Sequence, residues 1–271
     1  MITRQVALVS ESNAVTASLA ASIAAAVQKQ VQGDFSPLWQ VDATMSYFPT
    51  LDDVPVGYWP IIIVDQLSDP NAGGFHTDKN GQPYALVLSQ GQVSVDVSHE
   101  CLEMLADPFG SRTLAGDSIK PGQGRVEYLV EVCDPCEGDA YTYSVNGLPV
   151  SDFYTPHFFD PMASPSVRYD CTGAIKKPLQ LLKQGYISWL DPQSQHMWQA
   201  FYFGPKITYK DLGAPPPNLS LREWVDSQTT AEIADSLDWR RKGKSEVPAS
   251  HSAASKARAV ALRDCGHWKR A

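Results

Sequence analysis

Apolar side chains along this chain recur at two different spacings, and the alternation between the two predicts its elements. Val6 to Val9 reads as a short first strand, and Leu38 to Ser46 as a strand with alternating apolar side chains. Between them, Thr16 to Gln30 places Leu19, Ile23 and Val27 at helical spacing, with Ser12 or Asn13 near its cap and Gly33 at its end. Beyond the turn-rich stretch Pro49 to Pro55, the run Tyr58 to Asp65 is apolar enough for a central strand, with Pro60 limiting hydrogen bonding at its start. Asp69 to Pro83 holds Pro70, Gly73, Gly74 and the turn pair Asn80-Gly81, the signature of a loop or hairpin. A strand at Tyr84 to Ser89 leads into a helix from Val93 to Pro108, whose Val95, Leu102 and Leu105 can face a core. One strand, a helix, three strands and a second helix predict an α/β (α+β) arrangement with a mixed sheet.

The second half is richer in turns. Gly110 to Gly124 reads as a polar loop, and Val126 to Cys133 as a strand or short helix. Tyr141 to Val145 and Leu148 to Phe153 flank Asn146-Gly147, a hairpin signal, and Tyr186 to Trp189 and Trp198 to Phe203 bracket Asp191-Pro192 in the same way. Pro156 to Pro165 is an aromatic loop broken by prolines. After Pro215-Pro216-Pro217, Leu219 to Arg240 has the pattern of an amphipathic helix, and from Lys242 the chain turns small, polar and basic, as a flexible arm does. Three regions follow: a main domain over 1–212, a Pro-rich linker and helix over 213–241, and a tail over 242–271. No internal repeat is present.

Composition narrows the function classes. With 271 residues, 43% hydrophobic and 19% charged, the chain is long enough for one large core or two modest ones. A formal net charge of −8 argues against nucleic acid as a partner, because duplex binding rests on basic patches. No run approaches the roughly 18 apolar residues of a membrane span, and the start lacks a signal-peptide pattern. Five cysteines do not make a disulfide framework in a chain of this size. The expectation is a cytoplasmic protein without nucleic-acid or membrane partners.

The chemistry concentrates on the helix at Val93 to Pro108. His99, Glu103 and Asp107 stand four residues apart, so they share one stripe of an α-helix, with Glu100 one residue round. A second acidic set, Glu127, Glu131, Asp134 and Glu137, comes about thirty residues later. Carboxylates so dense beside apolar runs are costly to bury unless they bind a cation or accept hydrogen bonds. His76, in GGFHTD, is a candidate for reaching over the site from the loop before the edge strand, as a substrate-side or transition-state group. His157 is a similar candidate, and Tyr154 a candidate for oxyanion stabilisation. Ser98 reads as a cap or helix-surface hydroxyl, Cys101 as core, and Trp39, Trp59, Trp189 and Trp198 as core or interface residues. Cys133 and Cys136 form a lone C-x-x-C, which reads as two small residues in a turn.

The string His99-Glu100-x-x-Glu103 on a helix, with Glu131 and Asp134 downstream, resembles the zincin metallopeptidases. The longer strings SHECLEMLADP, VEVCDPCE and VSDFYTPHFF look like a widespread set of bacterial and phage-associated proteins, over roughly residues 1 to 205. The zincin resemblance implies a mixed sheet with an active-site helix, a metal bound by His99, and Glu100 as the base that activates a metal-bound water. It implies Glu131 as the downstream ligand, with Asp107 and Asp134 as alternatives. Where the zincins carry a second His, this chain has Glu103. A carboxylate there still suits zinc, but makes the site harder and opens it to manganese or calcium. The implied activity is a metal-dependent hydrolase acting on peptide or protein substrates. The alternative is a catalytically inactive module binding a protein assembly partner, in a phage, virion-associated or secretion assembly.

Overall fold

The computed structural model describes residues 3–67 and 73–229. Strand β1 (Arg4–Ser10) is followed by helix α1 (Ala17–Gln30), a short helix α2 (Ser36–Trp39) and strand β2 (Ala43–Phe48). Strands β3 (Trp59–Val64), β4 (Gly74–Lys79) and β5 (Gln82–Leu88) come next, then helix α3 (Val93–Ala106). The five strands form one sheet in the order β2-β1-β3-β5-β4, parallel throughout except for edge strand β4, which pairs antiparallel with β5. Strand β3 is central, as its apolar run predicts. Ile61 and Ile63 face the helices, whereas Ile62 and Val64 join Val9 and Leu86 in a smaller cluster on the opposite face.

Four local expectations change. The cap of α1 is Thr16, whose hydroxyl accepts the Leu19 N–H at 3.2 Å, while Ser12 instead bonds Asp65. Leu19 lies 39% exposed, and the buried stripe is Ala20, Ile23, Ala24 and Val27. Gly33 does not end the helical path: a π-turn over Val31–Phe35 carries it into α2, and Leu38 is helical. Burial of Phe35 and Trp39, whose rings stack at 6.0 Å, outweighs the weak helix propensity of glycine. Gln40 in the left-handed region (φ 56) then stops the helix, and β2 begins only at Ala43.

The second half contributes β6 (Thr113–Asp117), β7 (Arg125–Leu129), β8 (Tyr143–Val145), β9 (Leu148–Val150), β10 (Tyr186–Asp191), β11 (His196–Phe201) and β12 (Thr208–Gly213). A final helix, α4, is described over 221–229. Strands β12-β11-β10-β7-β6 make an antiparallel sheet, so the stretch expected as a loop from Gly110 holds a strand paired to β7. Both expected hairpins form. Asn146 (φ 51) and Gly147 (φ 81) supply the two positive φ values that a tight β8–β9 turn requires. One continuous core includes Leu8, Ile61 and Leu102 together with Tyr128, Trp189 and Ala200, so both large sheets close over the same apolar interior. Among the described residues no helix is long and apolar enough to cross a membrane. The tail over 242–271, and the expected helix beyond 229, lie outside the described residues.

Candidate metal centre

Helix α3 is buried along almost its whole length, so its polar side chains must find partners within the protein. One side is tied down by Ser98. Its hydroxyl donates to Gln30 Oε1 at 2.7 Å and accepts the Ser151 N–H at 3.0 Å, while Gln30 Nε2 donates to the Ser151 carbonyl at 2.8 Å. Ser98 is therefore an internal bridge between α3, α1 and the segment after β9, not a cap or a surface hydroxyl. Cys101 is fully buried in the core, as expected.

The other side carries His99, Glu100 and Glu103, and two further stretches converge on it. Edge strand β4 delivers His76 from within the strand, not from the preceding loop. The segment after β7 delivers Glu131 and Asp134 through a tight turn, closed by Cys136 N–H to the Cys133 carbonyl at 3.0 Å. That turn is clamped from behind: Leu182 N–H donates to the Pro135 carbonyl at 3.0 Å, and a Cβ on Gly185 would run into that same carbonyl.

His99 Nε2 lies 3.2 Å from Glu103 Oε2 and 3.3 Å from Asp134 Oδ1. His76 Nδ1 faces Glu100 Oε2 at 3.5 Å and Glu103 Oε2 at 3.9 Å. Its Nε2 is 3.1 Å from the Asp107 carbonyl, which can only accept, so Nε2 carries a proton and Nδ1 is the ring atom turned to the carboxylates. Glu103 Oε1 accepts the Cys133 N–H at 3.1 Å. Three groups bring ligand atoms within 4.8 Å of one another: His99, Glu103 and Cys133; His76, Glu100 and Glu103; and Glu103, Glu131 and Asp134. Glu103, standing where the resemblance expects a histidine, belongs to all three.

Burial and charge set the protonation states. Burial alone would neutralise His99, but Glu103 and Asp134 outweigh it and raise its pKa well above the ordinary value. Burial likewise opposes ionisation of Glu103, yet His99, Arg222 and His76 hold it far below the usual carboxylate range. Glu131 is pushed well up, by burial first and then by the charges of Glu103 and Asp134, with Arg222 opposing. Asp134 rises to about 7 from burial and Glu103, against the pull of Arg222 and His99. Glu131 Oε1 and the Tyr154 hydroxyl are buried with no hydrogen-bond partner among the described residues. Burial, then the negative charge of Glu131, Glu103 and Asp134, raises the Tyr154 pKa, which places its ring within the field of the cluster.

The donor set suits a divalent cation: imidazole and carboxylate ligand atoms from separate stretches, within reach of one another, with Glu100 Oε2 and Glu131 Oε1 lacking a hydrogen-bond donor among the described residues. Not every expected residue joins it. The Asp107 carboxylate turns away and accepts the Arg112 N–H at 2.7 Å, because it closes the C-terminus of α3 and the chain must reverse there. His157 sits at the surface, 56% exposed, paired with Asp160 at 2.9 Å. Glu127 is half-buried on β7, near Thr113. Glu137 is buried outside the three groups. Cys133 and Cys136 are free, buried thiols, and Cys133 is more than a turn residue, since its backbone and sulfur both border the site.

Arg222 has no counterpart in the expectations above. Its Nη1 lies 2.8 Å from Glu131 Oε2, 3.2 Å from Glu103 Oε2 and 3.6 Å from Asp134 Oδ2. The signal for it was present in Ser220-Leu221-Arg222-Glu223, an S-x-x-E capping box that starts a helix just after the prolines. Both halves form: Ser220 N–H donates to Glu223 Oε2 at 2.9 Å, and Glu223 N–H to the Ser220 hydroxyl at 3.1 Å.

Comparison with protein-family models, with curated proteins and with solved structures finds no match to this chain.

Proposed function

We propose that this protein is a metal-dependent hydrolase of peptide bonds, with the cation held by His99, Glu103 and the downstream carboxylates Glu131 and Asp134. The observation that carries this reading is convergence: three stretches separated by loops bring two imidazoles and four carboxylates, His76, His99, Glu100, Glu103, Glu131 and Asp134, into one buried cluster. Burying so many acids is costly unless they pair with positive charge, accept hydrogen bonds or bind a cation. Zinc is the metal proposed, and manganese or calcium would also satisfy so oxygen-rich a donor set. A divalent ion bound there would supply Lewis acidity toward water and toward a carbonyl oxygen.

The chain's own residues do the rest. Glu100 takes the proton of the attacking water and hands it to the leaving amine. Its Oε2 accepts no hydrogen bond among the described residues, which leaves that oxygen available for proton transfer. His76, fixed by the Asp107 carbonyl, orients Glu100 from the strand side. The Tyr154 hydroxyl, buried without a partner among the described residues and within the field of the cluster, is a candidate donor to developing negative charge. Strand β4 forms the sheet edge beside His76, where an extended peptide can add as a further strand. The mixed sheet with its buried motif helix is also the arrangement that the zincin resemblance implies.

A second reading is a catalytically silent binding or assembly module, and the guanidinium of Arg222 among the same carboxylates favours it. Zinc uptake and peptide hydrolysis at saturating zinc separate the two. The hydrolase reading expects about one equivalent of zinc, lost in His99→Ala, and hydrolysis lost in Glu100→Gln with zinc retained. Absence of zinc uptake by the full chain, or equal hydrolysis by Glu100→Gln, rejects it.

A further inference from the structure

We propose that Arg222 is a built-in competitor of the divalent cation, and that the segment leading into α4 must withdraw before a metal and a substrate can enter; this rests on the hydrolase reading. Arg222 is 6% exposed, and its guanidinium meets all three carboxylates of one candidate ligand group, Glu103, Glu131 and Asp134. A cation drawing on that group and the guanidinium would claim the same oxygens. Arg222 also stands two residues after the Ser220 cap, in the first turn of α4, where the helix dipole disfavours a positive charge. The carboxylates ahead of it, together with Asp226 at 2.9 Å from Nε, account for that placement, and the helix does not.

The approach of the segment is shaped to fit. Gly110, at φ +60, leaves room where a Cβ would come within 2.8 Å of the Arg222 Cβ, and its carbonyl accepts the Arg222 N–H at 2.9 Å. Leu221 N–H donates to the Ser111 hydroxyl at 3.2 Å. On the other side the Thr77 hydroxyl, on edge strand β4, donates to Glu223 Oε1 at 3.3 Å. The first turn of α4 thus bridges β4 and the loop after α3, beside the sheet edge where an extended peptide would add. Apolar anchorage is small and separate from the main core: Val225 packs with Met197 and Leu212, edged by Leu190, Leu221 and Trp224. Withdrawal of α4 would expose that satellite cluster and leave the shared core of the two sheets closed.

The test uses the full chain, zinc alone as the probe, and two readouts. Zinc affinity is measured by calorimetry for wild type, Arg222→Gln and Gly110→Ala, and amide exchange over 216–229 is followed in wild type with and without zinc. If the docked form holds about 99% of the population, zinc binds roughly 100-fold more tightly to Arg222→Gln than to wild type. Gly110→Ala moves the same way, His99→Ala in the Arg222→Gln background abolishes the gain, and zinc accelerates exchange over 221–229 in wild type. One equivalent of zinc bound with equal affinity by wild type and Arg222→Gln, dependent on His99, with exchange over 221–229 unmoved, overturns the competitor while sparing the metal site. No zinc bound by any variant overturns the metal reading and the competitor with it. The exchange measurement needs no substitution, so a variant that fails to fold leaves the proposal decidable.

Discussion

Gly74 on strand β4 makes room for Glu100: a Cβ at Gly74 would fall 2.8 Å from both Cγ and Oε1 of that glutamate. Because Cγ lies near the root of the side chain, rotation of the carboxylate alone does not relieve the overlap. Gly74→Ala is expected to displace the proposed base while leaving His99 and Glu103 in place. Hydrolysis should fall by about 100-fold, a typical cost of misplacing a reacting group by an ångström. Zinc stoichiometry, measured on the same preparation, should stay at the wild-type value. Loss of zinc together with activity would show that Gly74 serves the whole cluster and not Glu100 alone.

Ser98 lies one residue before the proposed metal ligand, yet its hydroxyl serves the scaffold. Ser98→Ala removes a donor from Gln30 Oε1 and an acceptor from the Ser151 N–H, both buried. Leaving such groups unpaired costs about 1–3 kcal/mol each, so the urea midpoint should drop clearly. Zinc binding at saturation should be unchanged in the variant that remains folded. Undiminished stability would mean that α1 and α3 are held by apolar contact alone.

What the amino-acid pattern made legible, and what it hid, divides along physical lines. Continuous apolar runs such as Ile61 to Val64, and the Asn146-Gly147 turn, act over a few residues and were readable as they stand. The proximity of His99 and Glu103 was legible from helical spacing, whereas the approach of Glu131 or Asp134 was an expectation from the zincin resemblance that left the third ligand open among them and Asp107. Asp107 misled because helical spacing does not reveal where a helix ends, and the C-terminus of α3 turns that carboxylate toward Arg112. Arg222 was hidden for a different reason. It stands 119 residues from Glu103, and only the closure of the second sheet over the shared core brings it there. Gly33 failed as a stop signal because burial of Phe35 and Trp39 is decided by tertiary packing.

A pH response is built into the loop beyond the β8–β9 hairpin. Burial, and then the charge of Asp170, pushes Asp152 up to about 8. Asp152 accepts the Phe153 and Thr172 N–H groups at 2.8 and 3.1 Å, and the Thr172 hydroxyl at 2.7 Å. Asp170 accepts from the Ala174 and Ile175 N–H groups at 2.8 and 2.9 Å. In the unfolded chain the Asp152 carboxyl titrates near 4. The folded pKa is therefore the higher one, so the folded state binds the extra proton between these values. The contribution is full below about pH 4 and is lost as pH rises through about 8. Urea midpoints should fall from pH 6 to pH 9 in wild type and change less in Asp152→Asn, which mimics the protonated form. Parallel midpoints in the two proteins would remove this pair from the pH dependence.

Gly185 couples the antiparallel sheet to the metal centre, which is the least intuitive link in the fold. It precedes β10, and a Cβ there would run into the Pro135 carbonyl and approach within 2.9 Å of the Asp134 carbonyl oxygen. Those obstacles are backbone atoms in a turn already pinned by Leu182 N–H, so no rotamer change relieves them. Gly185→Ala must push the Asp134 turn away from β10 or open the sheet. Overpacking of this kind costs about 1–3 kcal/mol. Since Asp134 contacts both His99 and Arg222, zinc affinity should weaken by about tenfold or more along with the stability loss. Gly204 provides the control, because a Cβ there meets nothing within 4 Å, and Gly204→Ala should match wild type in both measurements. A Gly185→Ala protein that is destabilised but binds zinc normally would show that the turn yields without carrying Asp134, and that the clamp serves folding alone.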